Sequence, residues 1–261
     1  MDASRNVLIT GASGGIGYEL AKLFARDRHT LVLVARSGDK LAQAATELQA
    51  HGVTAKTVAL DLAQPPAPKF LFDQLQREEM AIDILINNAG FGAFGNFAEM
   101  SEDQVLGQIS LNIVALTQLT RLFLPPMLVR RRGRIMNVAS TAGFQPGPLM
   151  AVYYATKAYV LSFTEAIANE VRNTGVTATC FCPGPTHTGF GKRAGNDQSR
   201  IFKRFGAMNA DKVALDGYRA VMEGRTLAIS GIQNWAVAQS TRLAPRKMVT
   251  AISRWVSEKA E

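Results

Sequence analysis

The sequence predicts an α/β fold in which helices cover both faces of one doubly wound parallel sheet of about seven strands. Two observations predict this fold. Short apolar segments alternate with longer segments of helical periodicity along most of the chain. The segment at residues 31–34, Leu-Val-Leu-Val, lacks any polar residue, which is typical of a strand buried on both faces. Such alternation favours right-handed crossovers, and ligands then bind at the carboxyl ends of the strands.

The predicted elements follow one another regularly. We predict strands over residues 6–10, 30–35, 54–60, 82–86, 134–138, 176–181 and 225–230. We predict helices over residues 15–28, 39–50, 67–79, 153–173 and 210–224, and a long helix that begins after Ser101, an N-cap residue with Gln104 at the capping-box position. Residues 184–209, rich in Gly, Pro and basic side chains, are predicted to form a mobile loop. Residues 1–261 contain no linker or repeat, so we expect a single domain.

The composition is that of an ordinary globular protein, with 47% hydrophobic and 19% charged residues. Residues 1–5 are polar, and the apolar region of a signal peptide would be longer than the segment that follows them. The most apolar stretch, residues 111–129, is interrupted by Gln118, Arg121, Pro125 and Pro126. We therefore expect no signal peptide, no membrane span and a cytoplasmic location. Cys180 and Cys182 share one face of a strand, which favours buried free thiols over a disulfide or a metal site.

The net charge of +8 is concentrated late in the chain, where residues 191–261 hold 13 Lys and Arg against 6 Asp and Glu. This excess favours solubility and attraction for a phosphate-bearing ligand. Basic residues are not interleaved with aromatic ones, so no nucleic-acid partner is expected. Residues 245–259 predict an amphipathic helix that packs on its own domain or on a sister subunit, or that lies on an acidic membrane. Its apolar stripe consists of Met248, Val249, Ile252, Trp255 and Val256.

A glycine-rich loop, Thr10-Gly11-Ala12-Ser13-Gly14-Gly15-Ile16-Gly17, connects the first strand directly to a helix. Its glycines let the backbone approach a pyrophosphate, and the helix N-terminus offers free N–H groups. In this context the loop predicts a Rossmann-type dinucleotide site rather than a purely structural turn. The second strand ends at Arg36, where an NAD site has a carboxylate, so Arg36 with Ser13 predicts NADP(H) unless Arg36 is merely solvated. Asp39 is expected to cap the next helix.

Tyr153 and Lys157 are separated by one helical turn and therefore lie on one helix face. A phenol with a pKa of about 10 is a poor proton donor or acceptor at neutral pH. A lysine cation ~4 Å away would bring that pKa toward the working pH. We therefore predict that Tyr153 is the acid–base group. Tyr154 points elsewhere and is predicted to be a packing residue, and His187 is not assigned because the tyrosine already has that role.

The sequence resembles the short-chain dehydrogenase/reductase family over residues 7–188, and more loosely to residue 246. The motifs that carry the resemblance are Thr-Gly-x-x-x-Gly-x-Gly at residues 10–17, Asp61-Leu62, Asn87-Asn88-Ala89-Gly90, Ser140, Tyr153-x-x-x-Lys157 and Pro183-Gly184-x-Thr186-x-Thr188. The resemblance implies that Asn112, Ser140, Tyr153 and Lys157 are catalytic. Ser140 would hydrogen-bond the substrate carbonyl oxygen, and Asn112 would hold a water near the lysine.

The resemblance also implies a set of cofactor-binding residues. In that set Asp61 would face the adenine, although alone it could equally be a turn residue. Thr188 is our first choice, and Thr186 the second, for contact with the nicotinamide carboxamide. The implied residues are Gly11, Ser13, Gly15, Ile16, Gly17, Arg36, Asp61, Leu62, Asn88, Ala89, Gly90, Tyr153, Lys157, Pro183, Gly184, Thr186 and Thr188.

The expected function is NADP(H)-dependent hydride transfer to or from a carbonyl or alcohol, in a homodimer or homotetramer. Apolar residues near the nicotinamide end predict a hydrophobic ketone or aldehyde, although any one of them could be core or lid packing. They are Phe91, Phe94, Phe97, Phe144, Met150, Phe190, Phe202 and Phe205. The resemblance implies a substrate lid over residues 189–206. The alternative function is an NADP(H)-binding regulator or scaffold without turnover.

Overall fold

Seven parallel strands form the central sheet within residues 5–203 and 206–259, the part of the chain that the computed structural model describes. In sheet order these are β3 (Ala55–Ala59), β2 (Thr30–Ala35), β1 (Asn6–Thr10), β4 (Ile84–Asn87), β5 (Gly133–Val138), β6 (Val176–Cys182) and β9 (Leu227–Ile229). The chain first builds outward from β1 to β3 and then crosses back to β4, so the switch point lies between β1 and β4. The predicted Rossmann-type, doubly wound parallel sheet is confirmed.

Helices pack on both faces of this sheet because alternate strand residues point to opposite sides. Val7 and Ile9 lie in the core under α1 (Gly15–Arg26), α2 (Gly38–Gln49) and α9 (Ala210–Glu223). Leu8, between them, lies in the second core under α3 (Ala67–Arg77), α5 (Leu116–Val129) and α6 (Ala151–Glu170). Continuous apolar strands are therefore buried on both faces, as predicted.

The helix before β5 is the longest continuous one in the described residues. It consists of α4 (Glu102–Ile109), a π-helical segment (Ser110–Ala115) and α5. The predicted capping box is confirmed, since Ser101 Oγ accepts from Gln104 N and Gln104 Oε1 accepts from Ser101 N. This helix is long and apolar enough to meet a length-and-composition criterion for a membrane span. Because Leu119 and Phe123 lie in the core, that criterion carries little weight here.

Residues 184–209 contain more regular structure than the predicted loop. They form β7 (Thr186–His187), α7 (Gly189–Ala194), α8 (Arg200–Lys203) and β8 (Met208–Asn209), and β7 pairs in parallel with β8. Elements of two to six residues are too short for a periodic signal in the sequence. Phe205 and the side chain of Phe202, both predicted to flank the site, lie outside what the structure describes.

The late helices are α10 (Ile232–Ser240), which the sequence did not predict, and α11 (Arg246–Ser257). Three residues of the predicted apolar stripe, Met248, Ile252 and Trp255, are exposed by 49%, 54% and 44%. Ser253 and Ser257 are the buried residues of α11 instead. Packing on its own domain, one of the alternatives, therefore does not cover these three residues, because α11 turns a hydroxyl-bearing edge toward the interior.

A buried polar network fixes α6 against the middle of the sheet. Asn87 Nδ2 donates to Asn137 Oδ1 (2.9 Å) and to Thr120 Oγ1 (3.1 Å), and Asn137 Nδ2 donates to Thr164 Oγ1 (3.0 Å). These bonds connect β4, β5, α5 and α6, the last of which carries Tyr153. Buried polar groups that are paired in this way favour one arrangement of the elements that carry them.

The two cysteines lie on β6 as predicted. Cys180 and Cys182 are fully buried free thiols whose Sγ atoms are 3.7 Å apart. They pack with Val160 of α6.

Candidate functional site

A cleft of about 1270 Å³ crosses the carboxyl ends of β1, β2, β4, β5 and β6. It contains all but two of the residues that the sequence predicted for the site. The predicted residues that line it are Gly11, Ser13, Gly15, Ile16, Arg36, Asp61, Leu62, Asn88, Ala89, Gly90, Ser140, Tyr153, Lys157, Pro183, Gly184, Thr186 and Thr188. Gly17 and Asn112 are buried and do not line it.

The glycine loop can only be built from glycine at its tight positions. Gly11 and Gly15 have φ values of +67° and +58°, in the left-handed region that other residues avoid. A Cβ on Gly17 would lie 2.5 Å from the Gly11 carbonyl oxygen, so α1 could not begin so close to the loop. A Cβ on Gly14, in contrast, would meet no described atom within 4 Å. The loop is therefore packed on its inner side and open on the outer side, which fits a pyrophosphate at the N-terminus of α1.

Thr10 and Asn88 hold the glycine loop against β4. Thr10 Oγ1 accepts from the backbone N–H groups of Asn88 and Ala89, both at 3.0 Å. Asn88 Nδ2 donates to the carbonyl oxygens of Thr10 (2.9 Å) and Gly11 (3.3 Å). No separate role was expected for Thr10 from the sequence. The sequence feature that could have indicated this role is a threonine at the end of β1 together with an Asn pair at the end of β4, the strand on the other side of the switch point.

The outer end of the cleft lies beyond β2. Ser13, Arg36, Ser37 and Lys40 line it, and Arg36 and Lys40 are exposed. Sequence reasoning missed Ser37 and Lys40. The predicted cap at Asp39 is wrong, because Ser37 occupies the N-cap position of α2 and Asp39 lies in its first turn.

Asp61 takes part in a turn, and it also lines the cleft. Its Oδ1 accepts a hydrogen bond from Ala63 N (3.1 Å), which closes a turn after β3, and the residue lines the cleft. Among the described cleft residues Asp61 is the only carboxylate. The outer end of the cleft thus has two cations and one anion, which suits a ligand with several phosphate charges.

Tyr153, Lys157 and Ser140 meet at the inner end of the cleft. Tyr153 and Lys157 lie on one face of the first turns of α6, and Ser140 follows β5. Lys157 is buried, and its Nζ donates to the Val138 carbonyl oxygen (2.7 Å) and lies 5.8 Å from the centre of the Tyr153 ring. Ser140 Oγ accepts from Ala142 N (3.1 Å) and donates to the Pro183 carbonyl oxygen (3.3 Å).

Burial dominates the titration of this site. It raises the pKa of Tyr153, and a hydrogen bond with Ser140 opposes that rise. Burial also lowers the pKa of Lys157 to about 8. From the sequence we expected Lys157 to lower the pKa of Tyr153, but burial of the phenol outweighs the charge of this lysine, whose Nζ donates to the Val138 carbonyl oxygen. Tyr153 is therefore protonated at neutral pH, which is the form that can donate a proton.

Asn112 lies in the π-helical segment and is fully engaged in hydrogen bonds. Its Oδ1 accepts from Phe91 N (3.1 Å), and its Nδ2 donates to the Phe91 carbonyl oxygen (2.9 Å) and to Thr156 Oγ1 (3.1 Å). A Cβ on Gly90 would lie 3.0 Å from Asn112 Oδ1 and 3.6 Å from Lys157 Nζ. Asn112 is thus a buried neighbour of the lysine that holds the loop after β4, and not a helix-surface residue.

The two threonines of the sixth motif stabilise its backbone. Thr188 Oγ1 accepts from Phe190 N (3.2 Å) and caps α7, and Thr186 Oγ1 donates to the Gly184 carbonyl oxygen (2.9 Å). A Cβ on Gly15 would lie 3.2 Å from Thr188, so this threonine faces the glycine loop across the cleft. His187 is exposed and does not line the cleft.

The predicted apolar residues divide into lining and packing residues. Phe91, Met150 and Phe190 line the cleft, and the ring of Phe190 lies 5.2 Å from that of Tyr153. Phe94 and Phe144 pack in the core instead, and Phe97 is 62% exposed. Within the predicted lid, the described residues that line the cleft are Gly189, Phe190, Lys192, Arg193, Asn196, Ser199 and Ile201.

Two further cleft residues were not predicted for the site. Tyr154 is buried, as expected of a packing residue, but it also lines the cleft. Ser257 of α11 lines the cleft beside it. Burial raises the pKa of Tyr154, and a hydrogen bond with Ser257 opposes that rise. No local sequence signal could have shown this contact, because the two residues are far apart in the chain.

Comparison with known proteins places this geometry in a family. The short chain dehydrogenase family matches residues 5–199. The chain is 38% identical to the ketoacyl reductase HetN of Nostoc sp. over 180 residues, which cover 69% of this chain and 63% of HetN. A short-chain dehydrogenase from Sphingobium yanoikuyae in complex with NADPH is 32% identical, with a TM-score of 0.82 and coverage of 92% of this chain and 94% of that one.

A third comparison is with the bulky-bulky ketone specific alcohol dehydrogenase from Comamonas testosteroni. It is 27% identical, with a TM-score of 0.78 and coverage of 92% of each chain. The chain belongs to the short-chain dehydrogenase family. It is an oxidoreductase of CH–OH and C=O groups that uses a nicotinamide cofactor.

Replacing Thr10 by Val tests the clamp on the glycine loop. Thr10→Val removes the acceptor for two backbone N–H groups, so we expect cofactor affinity to fall by about tenfold, the equivalent of a lost buried hydrogen bond. Fluorescence titration with NADPH measures the Kd. Thr10→Ser keeps the hydroxyl and should bind like the unmodified protein; equal weakening in both variants would contradict the clamp.

Proposed function

We propose that the protein is an NADP(H)-dependent reductase of a hydrophobic ketone or aldehyde. One observation carries the proposal: Ser140, Tyr153 and Lys157 converge at the inner end of a cleft whose outer end holds Arg36. HetN is a ketoacyl reductase by name, and the Comamonas testosteroni enzyme is specific for bulky ketones. The NADPH complex of the Sphingobium yanoikuyae relative supports the cofactor assignment.

The outer end of the cleft supports NADP(H) over NAD(H). Ser13, Arg36, Ser37 and Lys40 offer two hydroxyls and two cations next to the end of β2. A 2′-phosphate requires such donors, whereas a free ribose 2′-hydroxyl is usually held by a carboxylate at this place. The glycine loop would flank the middle of the cofactor. Pro183, Gly184 and Thr188, with Thr186 as the second choice, would line its nicotinamide end.

When bound, the cofactor supplies the hydride that the carbonyl carbon accepts. The Tyr153 hydroxyl, and the Ser140 hydroxyl once it rotates away from the Pro183 carbonyl, donate to the carbonyl oxygen and stabilise the negative charge that develops on it. Tyr153 then gives its proton to that oxygen, so that the carbonyl becomes an alcohol and the tyrosine a tyrosinate. The Lys157 ammonium stabilises the tyrosinate electrostatically. Asn112 is a positioning residue: it holds the loop after β4, and that loop packs against Lys157.

Apolar side chains support a hydrophobic substrate next to the reacting carbonyl. Met150, Phe190 and Tyr153 line the cleft and pack together against Gly92, where a Cβ would lie 3.0 to 3.1 Å from all three. Such a lining binds an apolar body and excludes water from the reacting atoms. No feature of the described cleft favours the alternative of a regulator without turnover, because each proposed catalytic side chain is present and engaged.

A homo-oligomer is proposed from an apolar surface on the long helix and α6. Leu106, Val114 and Tyr159 are exposed by 50%, 48% and 38%, and Ile113 and Leu122 line the shallow groove between the helices. Contiguous exposed apolar residues of this kind mark protein contacts more often than free surface. In the expected homodimer or homotetramer, a second copy of the chain would cover this apolar surface.

Substitution of Tyr153 tests the reaction. With a panel of ketones, aldehydes, quinones and 3-oxoacyl thioesters, we expect NADPH oxidation in the unmodified protein and a loss of about a thousandfold in Tyr153→Phe, because the proton donor is gone. Tyr218→Phe, which removes a hydroxyl bonded to Asp27 outside the cleft, is the matched control. Bound NADPH without oxidation of any panel member would favour the regulator.

Arg36→Asp tests the cofactor preference. Losing the guanidinium and adding a carboxylate should lower the ratio of kcat/KM for NADPH to that for NADH by about 100-fold, since charged hydrogen bonds are lost and repulsion is added. Steady-state kinetics with both cofactors measures the ratio. Lys212→Asp makes the same charge change on α9 outside the cleft and should leave the ratio unaltered. A ratio that does not move in Arg36→Asp would refute the assignment.

The pH profile tests Lys157. Burial lowers the pKa of Lys157 to about 8, so its ammonium is present below that pH and is lost as the pH rises through it. We therefore expect kcat/KM for NADPH, which reports on the free enzyme, to fall above about pH 8. Arginine keeps its positive charge to higher pH than lysine does. In Lys157→Arg the fall in kcat/KM should therefore move to higher pH, even if the variant is slower at every pH. An unmoved fall would assign the titration to another group.

Val114→Arg tests the oligomer. A charge in the middle of the apolar surface should convert the assembly to single protomers, because it would be desolvated without a partner. Size-exclusion chromatography with light scattering measures the mass. Val129→Arg, at an 84% exposed position of the same helix, should keep the assembly. A single-protomer mass for the unmodified protein would contradict the proposal.

A further inference from the structure

The cleft ends in a cluster of polar side chains, although its middle is apolar. Tyr154, Asn196, Ser199 and Ser257 all line the cleft and are exposed by 8%, 8%, 1% and 5%. They come from three different parts of the chain: α6, the segment between α7 and α8, and the end of α11. We call these four residues the distal cluster. Tyr154 and Ser257 pair with each other, but a purely hydrophobic substrate gives no reason for Asn196 and Ser199 at this end.

Two atoms of the distal cluster have no hydrogen-bond partner among the described residues, namely Asn196 Oδ1 and Ser199 Oγ. The amide nitrogen of Asn196 faces only the Met150 sulfur, at 3.2 Å, which is a weak acceptor. Buried polar atoms in folded proteins almost always have partners, and an exception is often explained by a ligand or a functional role. Both residues line the cleft, so a molecule bound there supplies the missing partner once the side chain rotates toward it.

Contacts between α8 and α11 hold the distal cluster in place. Arg200, next to Ser199, has its N–H on the Glu258 carbonyl oxygen (2.9 Å) and its guanidinium on the Glu258 carboxylate (2.9 Å). The same guanidinium lies 5.2 Å from the centre of the Trp255 ring. Ser199 also forms an antiparallel bridge with Lys259. The cluster is therefore assembled by specific contacts and is not a loop that happens to be polar.

Met150 connects the distal cluster to the reacting end of the cleft. The Met150 Cε packs against Gly92 beside Phe190 and Tyr153, and the Met150 sulfur contacts Asn196 Nδ2. A substrate with its carbonyl at Tyr153 would therefore extend along Met150 and Phe190 before it meets Asn196. Lys192 and Arg193 also line the cleft, but they are exposed, whereas the four cluster residues are buried. The cluster residues carry no charge that could pair with a buried ion, so the group that they contact is uncharged.

We infer that the distal cluster is a substrate subsite for a neutral hydrogen-bond donor, a hydroxyl or an amide N–H, separated from the reacting carbonyl by an apolar segment. This inference rests on the proposed reductase function and narrows its substrate class. Asn196 Oδ1 can only accept a hydrogen bond, so it requires a donor. The hydroxyls of Ser199, Ser257 and Tyr154 can either donate or accept. They would supply the remaining hydrogen bonds of a substrate hydroxyl group.

Matched substrates test the subsite. The probes are methyl ketones of increasing chain length, each with and without a terminal hydroxyl. At the chain length that reaches the distal cluster, we expect kcat/KM to be ten- to 100-fold higher for the hydroxylated ketone, because the analogue without it leaves buried polar atoms unpaired. A hydroxyl that lowers kcat/KM at every chain length would overturn the subsite.

Variants locate the preference. Asn196→Leu keeps the volume and removes the acceptor, so the preference for the hydroxylated ketone should fall to about one while the plain ketone is still reduced. Ser199→Ala is milder and should reduce the preference several-fold, which keeps the test available if Asn196→Leu does not fold. Asn169→Leu, an exposed position at the far end of α6, should retain the full preference. A preference that survives in both cluster variants would overturn the inference.

A binding measurement separates this inference from the reductase proposal. In Tyr153→Phe with NADPH present, thermal shift or calorimetry should detect tighter binding of the hydroxylated ketone, and Asn196→Leu should abolish that difference. Hydroxyl-dependent binding without turnover in the unmodified protein would support the subsite and refute the reductase. Turnover without any hydroxyl dependence would refute the subsite alone.

Discussion

The close approach of the β1–α1 turn to the end of β4 is the constraint on which the cleft depends. It requires glycine at position 17, where a side chain would meet the Gly11 carbonyl, and it is held by the Thr10 hydroxyl and the Asn88 amide. With those bonds made, the open side of the loop and the first N–H groups of α1 face the same groove as the ends of β4, β5 and β6. One tight turn thus fixes where a pyrophosphate can lie and, from there, the direction in which a dinucleotide extends.

The two ends of the cleft are built in different ways. The cofactor end uses loops at strand ends, so its position is fixed by the sheet and by the network of Asn87, Asn137 and Thr164 that anchors α6. The proposed substrate end uses α7, α8 and α11, and the ion pair of Arg200 with Glu258 joins the last two. Sequence changes in those late helices can alter the substrate without disturbing the cofactor, which suits a family whose members share a fold and differ in substrate.

Sequence reasoning reached the parts of the molecule that are encoded locally. The strands, the glycine loop and the pairing of Tyr153 with Lys157 follow from periodicity and spacing, which neighbouring residues determine. It missed what depends on distant contacts: the roles of Thr10 and Ser257, the short elements within residues 184–209, and the serine edge of α11 that faces inward. The pKa of Tyr153 differed from expectation for the same reason, because burial is set by the whole fold and outweighs a neighbour inferred from spacing.

The contacts of α11 with α8 also have a consequence for the order in which the protein matures. Residues 5–187 contain the strands and loops of the cofactor end, whereas the distal cluster needs Ser257 and the partners of Arg200 at positions 255–259. During synthesis, residues 5–187 emerge from the ribosome before α11 does. The distal cluster is therefore completed after the cofactor end, and a cut near residue 255 would disturb the cluster first.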